Sequence, residues 1–259
     1  MSNFRLDNKV AVITGGASGI GRAISDTFAA NGAFVHILEL DLNQAETAVN
    51  EIRAQGGQAR AHLCDVANQP NVHEVFNAIL AEHPINILVN NAGIAHIGNV
   101  ENTGEADFDR IFRVNVKGVY NCMHASIAQM KATGGGVILN MSSVAAWVGI
   151  ADRLAYSMSK GAVAAMTLSV AKDYVKDNIR CNSISPARVH TPFVDGYLKN
   201  NYPGREQEIF DKLSQTQPIG RMARPQEVAN LALFLCSDEA AFITGTDYPI
   251  DGGFIRLNS

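Results

Sequence analysis

The residues in this chain best placed to do chemistry stand in the short run YSMSK, where Tyr156 and Lys160 are four residues apart. In a helix that spacing puts both side chains on one face, one turn apart. A free phenol ionises near pH 10, too high for an effective base at neutral pH. An ammonium held beside it favours the phenolate and lowers that barrier. The pair taken alone also fits a partly exposed helix whose two long polar side chains merely pack together.

A second candidate is TGGASGIG, residues 14–21, which follows one apolar run and opens a helical pattern. Gly15, Gly19 and Gly21 allow a tight turn, close approach of a pyrophosphate and tight helix–strand packing. The helix N-terminus behind them offers free amide donors and the positive end of a dipole to phosphates. Glu39 closes the next apolar run, roughly 20 residues on, where a carboxylate accepts hydrogen bonds from adenosine ribose hydroxyls and repels a 2′-phosphate. Neither Ser18 nor Leu40 supplies the base a 2′-phosphate needs, and Arg22 lies inside the helix. NAD is therefore expected in preference to NADP.

These residues need a scaffold, and the sequence supplies an alternating one. Short β-branched runs at residues 9–14, 33–39, 58–66, 85–93, 137–143, 179–185 and 246–250 read as strands. Helical patterns begin near residue 20 and run over 43–55, 70–82, 105–131, 155–176 and 225–237. Alternation with nearly all-apolar strands implies a parallel sheet covered on both faces. The expected fold is α/β: one Rossmann-like doubly wound domain over residues 1–259. Residues 190–217, after the sixth strand, are richer in polar residues and carry Pro192 and Pro203. Ligands in such sheets bind beyond the carboxyl ends of the strands, so this insertion is placed to act as a lid.

Composition narrows the classes. The 259 residues are 47% hydrophobic and 18% charged, with a net charge of −4, which argues against a nucleic-acid surface. Cys64, Cys122, Cys181 and Cys236 form no CxxC pair, so neither a metal site nor a disulfide framework is expected. Buried free thiols fit a reducing compartment. The N-terminal MSNFRLDNKV lacks the apolar core of a signal peptide, and no apolar run is long enough to span a bilayer. A soluble cytoplasmic protein is the expectation.

With TGGASGIG, CDV at 64–66, NNAG at 90–93, Asn115 in RVNVKG, ILNMSSVAA, YSMSK, NSISPARVHTP and the terminal DGGF, the chain resembles the short-chain dehydrogenase/reductase family over nearly its whole length. That resemblance implies a catalytic set of Asn115, Ser143, Tyr156 and Lys160. The serine is selected over Ser142 by its position thirteen residues before the tyrosine. Tyr156 would be the general acid/base, and Ser143 would hold the substrate oxygen. Lys160 would lower the phenol pKa and hold the nicotinamide ribose, and Asn115 would anchor a water relaying protons to solvent. Ser18 and Ile20 would join Gly15, Gly19, Gly21 and Glu39 on the cofactor. Asp65 and Val66 would lie by the adenine, Asn91 and Gly93 along the cleft, and Val189 and Thr191 at the nicotinamide. One departure is Pro186-Ala187 in place of the usual Pro-Gly, because alanine does not freely adopt positive φ.

For substrate, Arg153 stands three residues before Tyr156, and Arg188 and His190 lie in the nicotinamide loop. An arginine binds a carboxylate through two parallel hydrogen bonds, which points to a hydroxy acid or sugar acid. The same side chains also suit a polyhydroxylated sugar, or salt bridges at a surface. The leading function is an NAD-dependent dehydrogenase of a small polar secondary alcohol: a sugar, sugar acid or 3-hydroxy acid. A 3-oxoacyl-carrier-protein reductase is the alternative, against which Glu39 speaks. A non-catalytic dinucleotide sensor is the alternative of another class. The resemblance also implies a homotetramer joined through the long helices, where Ala162, Ala164 and Ala165 permit close packing.

Overall fold

The computed structural model describes residues 4–257, apart from the side chain of residue 201, so the first residues of the N-terminal stretch lie outside it. Its seven strands are β1 (Val10–Thr14), β2 (Phe34–Glu39), β3 (Gln58–Leu63), β4 (Ile87–Asn90), β5 (Gly136–Met141), β6 (Ile179–Pro186) and β7 (Asp247–Ile250). They form one parallel sheet in the order β3-β2-β1-β4-β5-β6-β7. Every residue of β1 and β4 is buried, as central strands covered on both faces require. β3, QARAHL, departs from the all-apolar pattern. It is one of the two edge strands, with β7 at the other side, and only Ala59 of it is buried.

Successive residues of the central strands serve opposite layers. Ile13, Val89 and Leu139 pack with α1 (Gly19–Ala30), α2 (Leu42–Ala54) and α9 (Pro225–Cys236), through Phe28, Ile52 and Val228 among others. Val12, Leu88 and Ile138 pack with α3 (Gln69–Leu80), α5 (Gly118–Ala132) and α6 (Leu154–Tyr174), through Phe76, Met123 and Val163. Caps fix the helix entries. The Asp41 carboxylate accepts from the amides of Asn43 and Gln44, and the Asn68 side chain accepts from Asn71. The chain leaves β1 toward β2 on one side and β4 on the other, so the crevice at the carboxyl end of β1 is where this topology binds ligands.

Two stretches differ from the sequence reading. The helix expected over 105–131 is broken into α4 (Glu105–Ile111), a π-helical turn (Phe112–Lys117) and α5. The Asn115 amide is tied to both backbone groups of Ile94, and that outside anchor accompanies the wider turn. The insertion read without elements contains α7 (Pro192–Asn201) and α8 (Glu206–Gln215). Ala187 carries no strain, because the non-glycine residues at positive φ are Phe4, Asn8, Asp152 and Asn178. The four cysteines are buried and free, and burial pushes the thiols of Cys64, Cys181 and Cys236 up to about 12. Among the described residues, no helix is long and apolar enough to cross a membrane.

At the sheet edge, His36 on β2 is fully buried, with its Nδ1 2.8 Å from Nε2 of His62 on β3. Burial pushes His36 down to about 3, with the charges of His62, Arg60 and His83 adding to it. Burial and Arg60 push His62 down to about 4. The unfolded chain takes up these protons near pH 6.5, while the folded chain refuses them until pH 4 or below. Their contribution is therefore intact above pH 6.5 and is lost as pH falls from there toward 4. Chemical denaturation should show stability falling between pH 6 and 4.5, with His36 alone supplying a slope of about 1.4 kcal/mol per pH unit. His36→Phe should flatten that slope, and an unchanged slope would remove the histidine pair as its cause.

Candidate active site

The loops after β1 and β4 are stitched together. Thr14 Oγ1 accepts from the amides of Asn91 and Ala92, each at 3.0 Å. Asn91 Nδ2 donates back to the carbonyls of Thr14 and Gly15. Gly15 sits at φ +64°, and a Cβ built on Gly21 would lie 2.0 Å from the Gly15 carbonyl oxygen. The glycines are thus required by the turn and by the closeness of α1 to it. Ser18, which caps α1, makes no side-chain capping bond, so amides of the first turn remain available. Glu39 Oε1 accepts from Ala17 N at 3.0 Å, which holds the acid at the end of the glycine loop.

These loops border a groove of about 350 Å³. Gly15, Ser18, Gly19, Ile20, Glu39, Asp65, Val66, Asn91, Gly93 and Thr191 all line it, as the sequence led us to expect. A glycine cradle, free helix amides and a carboxylate at the far end are the donor and acceptor set a dinucleotide needs. Arg22 is committed elsewhere, 2.7 Å from Asp26 and 2.6 Å from Glu51. Sequence reasoning missed Ala92, Ile94, Val114 and Phe193, which also line the groove. Phe193 is 68% exposed on α7, and no pattern in the sequence marks an apolar residue that faces a ligand instead of the core. Val189 does not line the groove: its side chain is buried in the core and its backbone bridges to Ala223.

The reacting end is built by β5 and α6. Tyr156 and Lys160 lie one turn apart on α6, as their spacing predicted. Lys160 Nζ is buried, donates to the Met141 carbonyl at 2.7 Å and lies 5.7 Å from the centroid of the Tyr156 ring. Ser143 caps the 3₁₀ turn Val144–Ala146, its hydroxyl accepting from Ala145 N at 3.2 Å, and its side chain favours the ionised form of the Tyr156 phenol. Ser142 instead donates to the Lys160 carbonyl, supporting the helix. Asn115 accepts from Ile94 N and donates to Ile94 O and Ser159 Oγ, so its amide is spent on structure. A Cβ on Gly93 would lie 3.3 Å from Asn115 Oδ1 and 3.6 Å from Lys160 Nζ, which makes Gly93 the point where groove and catalytic set meet.

The electrostatics depart from the sequence expectation. Burial raises the Tyr156 phenol above its ordinary value, against opposing pulls from Ser143 and the Arg153 guanidinium. Burial lowers Lys160 to about 8. Desolvation penalises both charges, and it outweighs the help the ammonium was expected to give. Of the substrate candidates, Arg153 Nη1 donates to the His96 carbonyl at 3.3 Å and Arg188 Nε to Thr216 Oγ1 at 3.0 Å. His190 is exposed, lies 2.7 Å from the Asp195 carboxylate and packs edge-on against Phe210, both residues of the insertion. Among the described residues, no group of three or more His, Cys, Asp or Glu could hold a metal ion.

Comparison with known proteins places this fold and site in a family. A family model described as enoyl-(acyl carrier protein) reductase matches residues 15–255. The chain is 39% identical over 251 residues to dehydrogenase/reductase SDR family member 6 of Xenopus laevis, covering 96% of this chain and 98% of that protein. The crystal structure of L-sorbose reductase from Gluconobacter frateurii, complexed with NADPH and L-sorbose, matches with a TM-score of 0.94 at 28% identity. That match covers 99% of this chain and 100% of that one. A 7α-hydroxysteroid dehydrogenase complexed with NADH and 7-oxo glycochenodeoxycholic acid matches at TM-score 0.90 and 34% identity, covering 99% and 98%. The chain belongs to the short-chain dehydrogenase/reductase family. It is an oxidoreductase acting on the alcohol or carbonyl group of its substrate.

Proposed function

We propose that the protein interconverts the secondary alcohol and ketone of a small polar substrate with NAD as its dinucleotide, using Tyr156 as the general acid/base. The observation that carries this reading is Tyr156 one helical turn from a buried Lys160, whose ammonium lies 5.7 Å from the phenol ring and meets the glycine-loop groove at Gly93. Gly15, Ser18, Gly19, Ile20 and Gly21 would cradle the pyrophosphate, and Glu39 would take the ribose hydroxyls. Asp65, Val66, Asn91 and Gly93 would flank the rest, ending at Val189 and Thr191. When bound, the nicotinamide supplies the hydride acceptor or donor and, in its oxidised form, a positive charge.

The chain's own residues handle the proton. Ser143 holds the substrate oxygen by hydrogen bonding and fixes its distance to the phenol. Tyr156 takes the alcohol proton in oxidation and returns it in reduction. Lys160, lowered to about 8, exchanges a proton with modest cost at neutral pH and holds the nicotinamide ribose. Asn115 fixes Ile94 and Ser159 beside Lys160, where a relay water to solvent would sit. Residues 190–217, with α7 and α8, serve as a lid on a single domain of residues 1–259, with Thr191, Pro192 and Phe193 facing the groove. The complete catalytic set speaks against a non-catalytic sensor. Glu39 speaks against an NADPH-dependent acyl-carrier reductase. Sugars, sugar acids and 3-hydroxy acids are the substrate classes, the likeness to L-sorbose reductase supporting a polyhydroxylated one.

The four buried free thiols favour a cytoplasmic protein. A homotetramer is favoured by the apolar surface of the long helices. Phe112 and Tyr120 are exposed, Leu168 on α6 is 55% exposed, and Ala162 and Ala164 are only half-buried with Ala165 exposed. Sedimentation should give a species of four chains, and a stable monomer would contradict the assembly.

Tyr156→Phe should lower turnover by about 10³-fold or more while leaving NAD affinity within a few fold, measured by NADH formation and by calorimetry. Retained turnover would remove the acid/base assignment. Glu39→Ala combined with Leu40→Arg should raise the NADP/NAD ratio of kcat/KM about tenfold or more, the worth of one charge-assisted hydrogen bond. An unmoved ratio would defeat the NAD assignment.

A further inference from the structure

Asp247, the first residue of β7, is a half-buried carboxylate that the mechanism leaves unused. Its Oδ1 accepts from the hydroxyls of Ser183 at 2.6 Å and Ser185 at 2.8 Å, two buried residues on the same face of β6. Its Oδ2 is buried and takes no hydrogen bond. Among the described residues no cation lies within ion-pair distance of it. Burial raises the carboxyl above its ordinary range, against the pull of both serines. Taking a carboxylate out of water without a counter-charge costs free energy, so it adds little to stability by itself.

What the carboxylate does fix is a direction. A serine hydroxyl has one proton, and Ser185 gives it to Asp247, which leaves its lone pairs to accept. Trp147 Nε1 donates to that Ser185 oxygen at 3.1 Å. The indole is 50% exposed, so packing alone does not hold it. Trp147 is the residue after the 3₁₀ turn Val144–Ala146, and its amide donates to the Val144 carbonyl at 2.9 Å. At the start of the turn, Ser143 accepts from Ala146 N at 2.9 Å through its carbonyl and from Ala145 N at 3.2 Å through its hydroxyl. Just before it, the Ser142 amide donates to the Ile184 carbonyl at 2.8 Å. The turn that carries Ser143 is therefore tied to β6 at both ends, by a backbone bond before it and by the indole after it.

We propose that Asp247, acting through Ser185 and the Trp147 indole, positions Ser143 against the substrate oxygen. The proposal rests on the role given to Ser143 above. Asp247, Ser185 and Trp147 are positioning residues: none of them lines the dinucleotide groove, and each acts through the next. Charge strengthens the chain, since a hydroxyl that donates to a carboxylate is the better acceptor for the indole N–H. Removing the acceptor at 247 lets the Ser185 proton turn elsewhere and releases the far end of the turn.

The chain has one tryptophan, so its emission reports Trp147 alone. Time-resolved anisotropy of the unliganded protein should show a slowly moving indole in wild type and in Asp247→Asn, which keeps an acceptor oxygen. Ser185→Ala and Asp247→Leu should add a fast component. Ser143 opposes the burial that raises the Tyr156 phenol, so the phenol reads where Ser143 sits. Ultraviolet difference titration compares each variant with its own Tyr156→Phe double. It should place the phenol's ionisation about half a pH unit or more higher in Ser185→Ala and Trp147→Phe, and near wild type in Asp247→Asn. In a Ser143→Ala background Ser185→Ala should add nothing further, because non-additivity marks residues that act through one another. NAD⁺ affinity and circular dichroism should stay near wild type throughout. Should Asp247→Leu not fold, Ser185→Ala and Trp147→Phe decide. An indole as immobile in Ser185→Ala as in wild type would overturn the positioning role alone, as would a phenol that moves in Ser143→Ala but not in Ser185→Ala. A phenol unmoved by Ser143→Ala would overturn the reading of Ser143, and the proposal with it.

Discussion

The hydrogen bond from the buried Lys160 ammonium to the Met141 carbonyl is the contact on which the site depends. It joins the carboxyl end of β5 to the second turn of α6. By fixing Lys160 it fixes the helical turn that carries Tyr156, and with it the distance from the phenol to Ser143 at the following 3₁₀ turn. Ser142 closes the same junction from the other side by donating to the Lys160 carbonyl. Gly93 leaves the space into which the ammonium and the Asn115 amide fit. A buried ammonium is costly unless it is hydrogen-bonded, and a carbonyl at the end of a strand is a partner the fold supplies at no extra cost.

That arrangement makes the proton-transfer pair sensitive to charge. Burial raises Tyr156 and lowers Lys160, so each is pushed toward its neutral form. A phenol held this way is a poor base until positive charge arrives beside it. In the proposed reaction that charge comes with the oxidised dinucleotide, so the base is strengthened where and when a hydride acceptor is present. The unpaired guanidinium of Arg153 acts in the same direction.

Much of this was legible in the sequence because glycine, strand and helix patterns are local. The glycine loop, the acid closing β2, and the tyrosine–lysine spacing each follow from residue types and short separations, and all fall where expected. Other features depend on contacts between distant segments. The π-helical turn at Asn115 comes with bonds to Ile94, 21 residues away, which hydrophobic periodicity cannot register. His190 neighbours Arg188 in sequence, and its contacts with Asp195 and Phe210 inside the insertion are ones that no local pattern marks. The phenol's position above its ordinary value in the unliganded protein is likewise a non-local effect. The spacing showed the ammonium but not the degree of burial, and desolvation acts on both members of the pair.

Burial holds the Tyr156 phenol above its ordinary value, and positive charge in the groove is what would bring it down. Ultraviolet difference titration of wild type against Tyr156→Phe, with and without NAD⁺, isolates this one phenol. The account predicts an ionisation above that of free tyrosine in the unliganded protein and a fall of about one pH unit or more when NAD⁺ is added. An ionisation that NAD⁺ leaves in place would contradict it.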